Sequence, residues 1–483
     1  MIIIEINSIL ELISFYKIIL FSAIILNSIK FYQIYSLFFE EENTVKNILL
    51  IKNGRIINPA TELDSVADLL IADGKVSEIA KNIDITKVKN EIKSDGANFK
   101  ELDASDCIVS PGLIDTHVHF RDPGFTHKED IISGANAAAA GGFTTVVMMA
   151  NTNPKVDSVE TLNYVYNKAK SAKINVLQES ALTHDFKDKL VDMDELHKNG
   201  AVGFTNDGVP VMSTKVLKEA MMKAKELDTI IALHEEDNSL ISTHGINDGM
   251  ISKSLKMNGA PRESEDVMVA RDCILALNTG AKIVIQHISS GNSVDFIRYI
   301  KSMGANVIAE VTPHHFTLTE EVVIEHGTLA KMNPPLRTSY DRNKIIEGLK
   351  DGTIEIIATD HAPHSYDEKN VEFSKAPSGI IGLETALGLA ITELEKKGHL
   401  TMSQLLAKFT INPSNIYKLD KGDISVGKTA DICIFNKDEI FTVEKFYSKS
   451  SNSPFIGKQL YGKVKYTICN GEIVFSDQNI DKL

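Results

Sequence analysis

Between residues 105 and 410, short apolar runs alternate with longer amphipathic stretches. Eight runs read as strands: GLIDTHVHF, TTVVMMAN, INVLQESALT, AVGFTND, TIIALHEE, KIVIQHIS, NVIAEVTPHH and EIIATDHAPH. Each leads into a helix-like stretch, such as KEDIISGANAAAA or SGNSVDFIRYIKSMG. Eight strand–helix units in about 300 residues predict an α/β fold of the (β/α)8 TIM-barrel type. On both sides the period shortens to two. NILLIKNGRIINP and DLLIADGKVSEIA precede the barrel, and DISVGKTADICIFN and GKVKYTICNGEIVFS follow it. Asn53-Gly54, Asp73-Gly74 and Asn470-Gly471 predict hairpin turns, since both residues of such a pair tolerate positive φ. Residues 47–104 and 411–483 are therefore expected to build one small β-rich domain from the two chain ends. The glycines of GANAAAAGGFTT lack the GK[ST] of a phosphate loop. Gly141 and Gly142 are instead expected to turn a helix into the second barrel strand.

Residues 1–44 follow a different pattern. The first forty contain twelve Ile and no Gly, Pro or Arg, and their longest uncharged run is the twelve residues from Ile18 to Ile29. A spanning helix needs about 20 apolar residues. A secretory signal would start basic and end at a small-residue cleavage site, whereas the first charge here is Glu5. The Ile-, Phe-, Lys-, Asn- and Tyr-rich composition is that of translated AT-rich DNA. The segment is thus read as an extension outside the native fold, from a start codon placed too far upstream, with Val45 as a GUG initiator. A membrane anchor and an amphipathic extension are the alternatives.

Composition narrows the function. With 51 Lys+Arg against 65 Asp+Glu the chain carries −14, without the clustered cationic surplus that phosphate neutralisation requires, so nucleic acid is excluded as a partner. The four cysteines, Cys107, Cys273, Cys433 and Cys469, form no CxxC pair. They read as thiols in a reducing, cytoplasmic setting.

The chemistry emerges when polar residues are set against strand ends. His117 and His119 end the first barrel strand, and their i, i+2 spacing puts both on one face. Asp207 follows the fourth strand, His234 ends the fifth, His287 the sixth, and Asp360 the eighth. All six converge on the C-terminal mouth of the barrel, where such enzymes carry their active sites. Four imidazoles and two carboxylates suit Zn²⁺, and six ligands exceed one tetrahedral site, so one or two ions are expected. Arg121 shares the inward face beyond His119, and its planar fork suits a carboxylate. The competing reading for Arg121 is an ion pair with Asp122 or Glu129. His314, His315 and His361 are expected to pack or support, and His127, His184, His197, His244, His326 and His399 to be surface or loop residues.

The run PGLIDTHVHFRDPGFTHKEDIISGANAAAAGGFTTVVMMANTNP resembles the amidohydrolase superfamily, specifically its class I dihydroorotases. FTNDG, HEEDNSLI, QHISS, KMNPPLR, ATDHAPH, GIIGLETALGLA and SVGKTADICIFN match the same family in order. The resemblance spans 47–483. It implies metal ligands His117, His119, Asp207, His234, His287 and Asp360, with Asp360 also the general acid/base. It implies substrate contacts from His119, Arg121, Asn151, Asn333, His364, Ser378 and Gly379, with Arg121, Asn151 and His364 on the substrate carboxylate.

Within the superfamily, hydantoinases and allantoinases typically bridge their metals with a carboxylated Lys from the fourth strand. GAVGFTNDG holds no Lys, so Asp207 takes that place. The family often has two acidic residues before this glycine, and here Asn206 stands at the first. Ser378 stands where many members carry Phe. The reaction implied is reversible zinc-dependent hydrolysis of L-dihydroorotate to N-carbamoyl-L-aspartate, run toward cyclisation in pyrimidine (UMP) biosynthesis. A homo-oligomer is expected, and a complex with aspartate transcarbamoylase is compatible with it. The alternatives are an allantoinase or hydantoinase, or a non-catalytic scaffold for that transcarbamoylase.

Overall fold

The computed structural model describes residues 47–86, 88 and 98–478, and the expectation for residues 1–44 lies outside them. The chain divides into two units, Met1–Ile48 with Asp84–Phe99, and Leu49–Ile83 with Lys100–Leu483. The second unit holds all eight strands of the barrel and every residue of the site.

Among the described residues, strands β1 (Asn47–Asn58), β2 (Leu63–Ala72), β3 (Lys75–Ala80), β4 (Asn98–Asp103) and β5 (Ile108–Pro111) come first. Eight short parallel strands come next: β6 (Leu113–Val118), β7 (Phe143–Met148), β8 (Asn175–Gln178), β9 (Phe204–Thr205), β10 (Ile230–Leu233), β11 (Lys282–Ile285), β12 (Val307–Val311) and β13 (Ile356–Ile357). They form two sheets, β6-β7-β8 and β13-β12-β11-β10-β9. Parallel bridges Ser180–Phe204 and Val118–His361 join these into a closed ring. Seven of the eight strands fall inside the expected apolar runs, and β7 starts one residue before its run, at Phe143. Finally β14 (Ile432–Thr442), β15 (Gln459–Cys469) and β16 (Glu472–Ser476) return to the first sheet, which runs β16-β15-β14-β5-β1-β2-β3. Both chain ends thus share one sheet. Strand β5, inside the span 105–410, pairs with β1 and β14 and not with the barrel strands.

Alternation sorts the barrel side chains. Ile231 and Leu233 of β10, and Ile283 and Ile285 of β11, pack outward under the helices. Ile230, Ala232, Val284, Ile308 and Ile356 fill the interior with Tyr417. The same parity turns Glu310 inward, two residues after Ile308. Among the described residues no helix is long and apolar enough to cross a membrane.

Two of the three expected hairpin turns form. Asp73-Gly74 joins β2 to β3 and Asn470-Gly471 joins β15 to β16, each with both φ values positive. Asn53-Gly54 does not form one. Asn53 has φ 62, but the strand continues to Asn58. Beyond Gly54, Arg55 and Ile56 pair with Ile108 and Val109, and a Cβ at Gly54 would lie 2.5 Å from Val109 Cγ2. The glycine is there for close packing inside a strand. Gly142 (φ 89) and Gly141 do turn the helix Ile131–Ala140 into β7.

Beneath the mouth, Glu179 is fully buried and neither carboxyl oxygen has a hydrogen-bond partner among the described residues. Burial drives its carboxyl up to about 8, against the pull of His117. The folded chain therefore keeps this proton at neutral pH, while an unfolded glutamate loses it near 4.5. The unfolded state then binds fewer protons, so stability falls as pH rises from about 4.5 to about 8. Glu179→Gln should remove that slope. The melting temperature of the variant relative to the parent is expected to be higher at pH 8 than at pH 5, by the equivalent of roughly a few kcal/mol. An offset independent of pH would show the carboxyl ionised in the folded chain.

Candidate metal and substrate site

The barrel brings the six expected metal ligands together. His117 and His119 lie at and just beyond the end of β6, Asp207 two residues past β9, His234 directly after β10, His287 two past β11, and Asp360 three past β13. All are buried. Asp207 Oδ1 lies 3.4 Å from His117 Nε2, 3.5 Å from His234 Nδ1 and 3.4 Å from His287 Nε2, and its Oδ2 lies 3.4 Å from His119 Nε2. Asp360 Oδ1 lies 3.0 Å from His119 Nε2 and 3.5 Å from His117 Nε2. Two groups with metal-ligand spacing result, His117–His119–Asp207 and Asp207–His234–His287, with Asp207 common to both.

The far nitrogens explain which way the rings face. His117 Nδ1 meets Glu310 Oε1 at 2.9 Å, and Thr116 Oγ1 donates to Glu310 Oε2 at 2.9 Å. His119 Nδ1 meets Asn151 Oδ1 at 2.9 Å, and His234 Nε2 meets Glu236 Oε2 at 2.9 Å. An oxygen acceptor on one nitrogen places the N–H there and turns the lone pair of the other inward, as in metal-bound histidines. Among the described residues, His117 Nε2 and Asp207 Oδ1 are left buried without a hydrogen-bond partner. Inward-facing imidazole nitrogens around orphaned carboxylate oxygen are a donor set that fits a divalent metal.

The electrostatics fit the same cluster. Burial opposes ionisation of Asp207, but His117, His234 and His287 outweigh it and hold the carboxyl well below the usual range. Burial works against a charged His234, yet Asp207 and Glu236 push it up to about 10. Asp360 is likewise held low, against burial, by His117 and His119.

Beside the cluster lies a cavity of about 160 Å³ lined by His119, Arg121, Asn151, Asn333, His364, Ser378 and Gly379 together with Asp207, His234, His287 and Asp360. Every residue expected to meet substrate is on this wall. Arg121 Nε donates to Pro363 O at 3.2 Å, and its Nη2 lies 3.3 Å from His364 Nε2. Burial lowers the guanidinium to about 10, against the pull of Asp360 and Asp207. Neither alternative partner holds it. Asp122 pairs with Lys168 at 2.6 Å, and Glu129 is bound by Ser133 and Ser448. His364 meets Ser378 O at 2.9 Å, and burial plus the cations Arg121, Lys128 and Lys369 keep its ring neutral. Asn151 is doubly engaged, since its Nδ2 also lies 3.3 Å from Asp207 Oδ2. Three site residues other than glycine take left-handed backbone, Arg121 (φ 58), His287 (φ 34) and Asp360 (φ 48). Such conformations persist where surrounding structure over-determines them, often at functional sites.

Other polar residues find different uses. Asn206 Oδ1 accepts from Leu182 N at 3.0 Å and Thr183 N at 3.2 Å, tying β9 to the segment after β8. His315 bridges Thr312 Oγ1 (2.7 Å) and Pro334 O (3.1 Å). His361 Nδ1 accepts from Gly382 N at 3.2 Å. Glu310 and Glu236 are not evident from the sequence. A charged residue at an inward position of β12 is the available signal for the first.

A family model described as "Dihydro-orotase-like" matches residues 106–293, and one described as "Amidohydrolase family" matches 376–475. The chain is 59% identical over 430 residues to a dihydroorotase of Clostridioides difficile strain 630, covering 89% of this chain and 100% of that one. It is 54% identical over 434 residues to a dihydroorotase of Clostridium acetobutylicum, again covering 89% and 100%. Among solved structures, an L-hydantoinase (dihydropyrimidinase) from Arthrobacter aurescens superposes with a TM-score of 0.79 at 24% identity, covering 90% of this chain and 97% of that one. A D-hydantoinase superposes with a TM-score of 0.78 at 25% identity, covering 89% and 96%.

Removing the Glu310 carboxylate should loosen the metal site. For Glu310→Gln the half-saturation concentration in a zinc titration is expected to rise about 10–100-fold. An unchanged titration would show that His117 needs no such orientation.

Proposed function

The chain belongs to the dihydroorotase family of the amidohydrolases, and from that premise we propose how its residues divide the work of opening and closing a cyclic amide. The activity is that of a dihydroorotase, a cyclic amide hydrolase. The reading assigns it L-dihydroorotate and N-carbamoyl-L-aspartate, with cyclisation as the working direction in pyrimidine synthesis. The observation that carries the chemistry is the sharing of Asp207 between two histidine pairs.

His117 and His119 would hold one zinc ion and His234 and His287 a second, with Asp207 between them and Asp360 beside the first pair. Zinc bound there supplies Lewis-acid polarisation of the amide carbonyl and hydroxide at neutral pH. The protein supplies position and proton transfer. Arg121, His364 and Asn151 face the substrate carboxylate, so the ring amide is presented to Asp360 in one orientation. Asn333, Ser378 and Gly379 meet the rest of the ring. In hydrolysis Asp360 takes a proton from the attacking water and delivers it to the ring nitrogen as the C–N bond breaks. In cyclisation the same carboxylate removes a proton from the ureido nitrogen as that bond forms. A neutral His364 leaves the charge on this wall to Arg121.

The hydantoinase likeness is one of fold. Arg121 and His364 on the cavity wall favour a ring that bears a carboxylate, and no Lys lies in β9 to bridge metals. All six ligand positions are filled, which speaks against a scaffold without activity. Four free cysteines, three of them buried, support a reducing, cytoplasmic setting. The same reading keeps a homo-oligomer, with or without the transcarbamoylase.

Asp360→Asn is expected to lower kcat about 10²–10⁴-fold while the melting temperature stays near parental. Turnover at the parental rate would remove Asp360 from proton transfer. Arg121→Met is expected to raise KM for L-dihydroorotate about 10–100-fold, the loss of charge-assisted hydrogen bonds. An unchanged KM would contradict its role on the carboxylate.

A further inference from the structure

We infer that Asn452, carried on the loop between β14 and β15, is a positioning residue for the cavity wall that meets the substrate carboxylate. The inference rests on the functional assignment of that wall.

The loop leaves the small domain's sheet and reaches the barrel mouth. Ser448 Oγ donates to the Glu129 carboxylate, Ser450 Oγ donates to Lys128 O at 2.8 Å, and Lys449 pairs with Asp130. At its tip Asn452 is buried, and its amide is fully engaged. Nδ2 donates to Ala362 O at 3.0 Å and to Gly379 O at 3.1 Å, while Oδ1 accepts from His364 N at 3.1 Å. Its own backbone carbonyl accepts from Ile381 N at 3.1 Å. One side chain thus fixes the segment Ala362–His364 against the segment Gly379–Ile381.

Those two segments carry the wall. Arg121 rests on Pro363 O, between the two residues whose backbones Asn452 holds. His364 meets Ser378 O across the gap. Gly379 has φ 124, and a Cβ there would lie 2.6 Å from Ala362 Cβ, so the segments touch at van der Waals limits. From the other side Lys369, also buried, donates to Gly379 O at 3.0 Å and Pro377 O at 2.9 Å. Gly379 N in turn donates to Lys331 O at 2.9 Å. Only glycine fits a backbone packed this closely at positive φ.

The residue type follows from the groups it faces. Two carbonyls need donors and one N–H needs an acceptor, which an Asn amide supplies at this reach. Asp would keep the acceptor but turn an anionic oxygen toward two carbonyls. Ala would leave three backbone groups without their partner. None of these contacts involves a metal ligand, so the effect should fall on carboxylate recognition and spare metal binding.

The test uses the full-length chain, parent and Asn452→Ala. Steady-state turnover and equilibrium binding of L-dihydroorotate are measured beside inhibition by dihydrouracil, the same ring without its carboxylate, and beside zinc content. The expected result is a KM for L-dihydroorotate raised about 10-fold or more, with kcat within about 3-fold. The inhibition constant for dihydrouracil and the zinc content should stay near parental. An unchanged KM, or equal weakening of both ligands, would overturn the inference. Should Asn452→Ala fail to fold, Asn452→Asp and Lys369→Met are read in the same assay. Each is expected to show the same selective rise, and weakening of both ligands alike would again overturn it. A parent that turns over L-dihydroorotate while Asn452→Ala behaves like it refutes the inference alone. A parent that neither binds nor turns over L-dihydroorotate refutes the functional reading with it.

Discussion

Asp207 Oδ1 sits 3.4 to 3.5 Å from ring nitrogens of His117, His234 and His287, and all four side chains are buried. A carboxylate buried in this way is costly unless positive charge meets it. Two sources of such charge fit four imidazoles, protons on the rings or divalent metal between them. The raised His117 and His234 and the lowered Asp207 express the first choice. Metal binding exchanges those protons for an ion, since ligating imidazole must be neutral. The rest of the site follows from this exchange, because the rings must face inward whether or not they are protonated. Glu310, Asn151 and Glu236, each 2.9 Å from an outer nitrogen, hold them so.

The barrel makes that convergence possible, and its irregularities finish it. Strands only two to six residues long end at one rim, so residues a few positions beyond them reach a common centre. Left-handed backbone at Arg121, His287 and Asp360 then re-aims side chains that regular strand geometry would send elsewhere. The first sheet takes part as well. Its β14–β15 loop places Asn452 against Ala362, His364 and Gly379.

Much of this was legible in the sequence because it obeys local rules. Apolar runs marked the eight barrel strands, and polar residues at their ends marked the six side chains that converge on the mouth. Asp73-Gly74 and Asn470-Gly471 turned as their chemistry demands. Asn53-Gly54 did not, because pairing of Arg55 and Ile56 with β5, a partner distant in sequence, outweighed the local preference for a turn. The groups that orient the ligands were harder to see. Glu310 is marked only by parity, as a charge on the inward face of β12. Glu236 is one of two adjacent acids after His234, and nothing local separates the one that touches the ring from Glu235. Asn452 meets backbone groups some seventy to ninety residues away, and such contacts leave no trace in periodicity or spacing.

If Asp207 and its histidines form a metal-dependent site for hydrolysis of a cyclic amide that bears a carboxylate, activity must track the metal. The decisive measurement is L-dihydroorotate hydrolysis by the full-length chain as purified, after exhaustive chelation, and after zinc is returned. The predicted result is turnover that chelation abolishes and zinc restores. Turnover that survives complete removal of metal, or a folded and zinc-loaded protein that leaves L-dihydroorotate untouched, would contradict it.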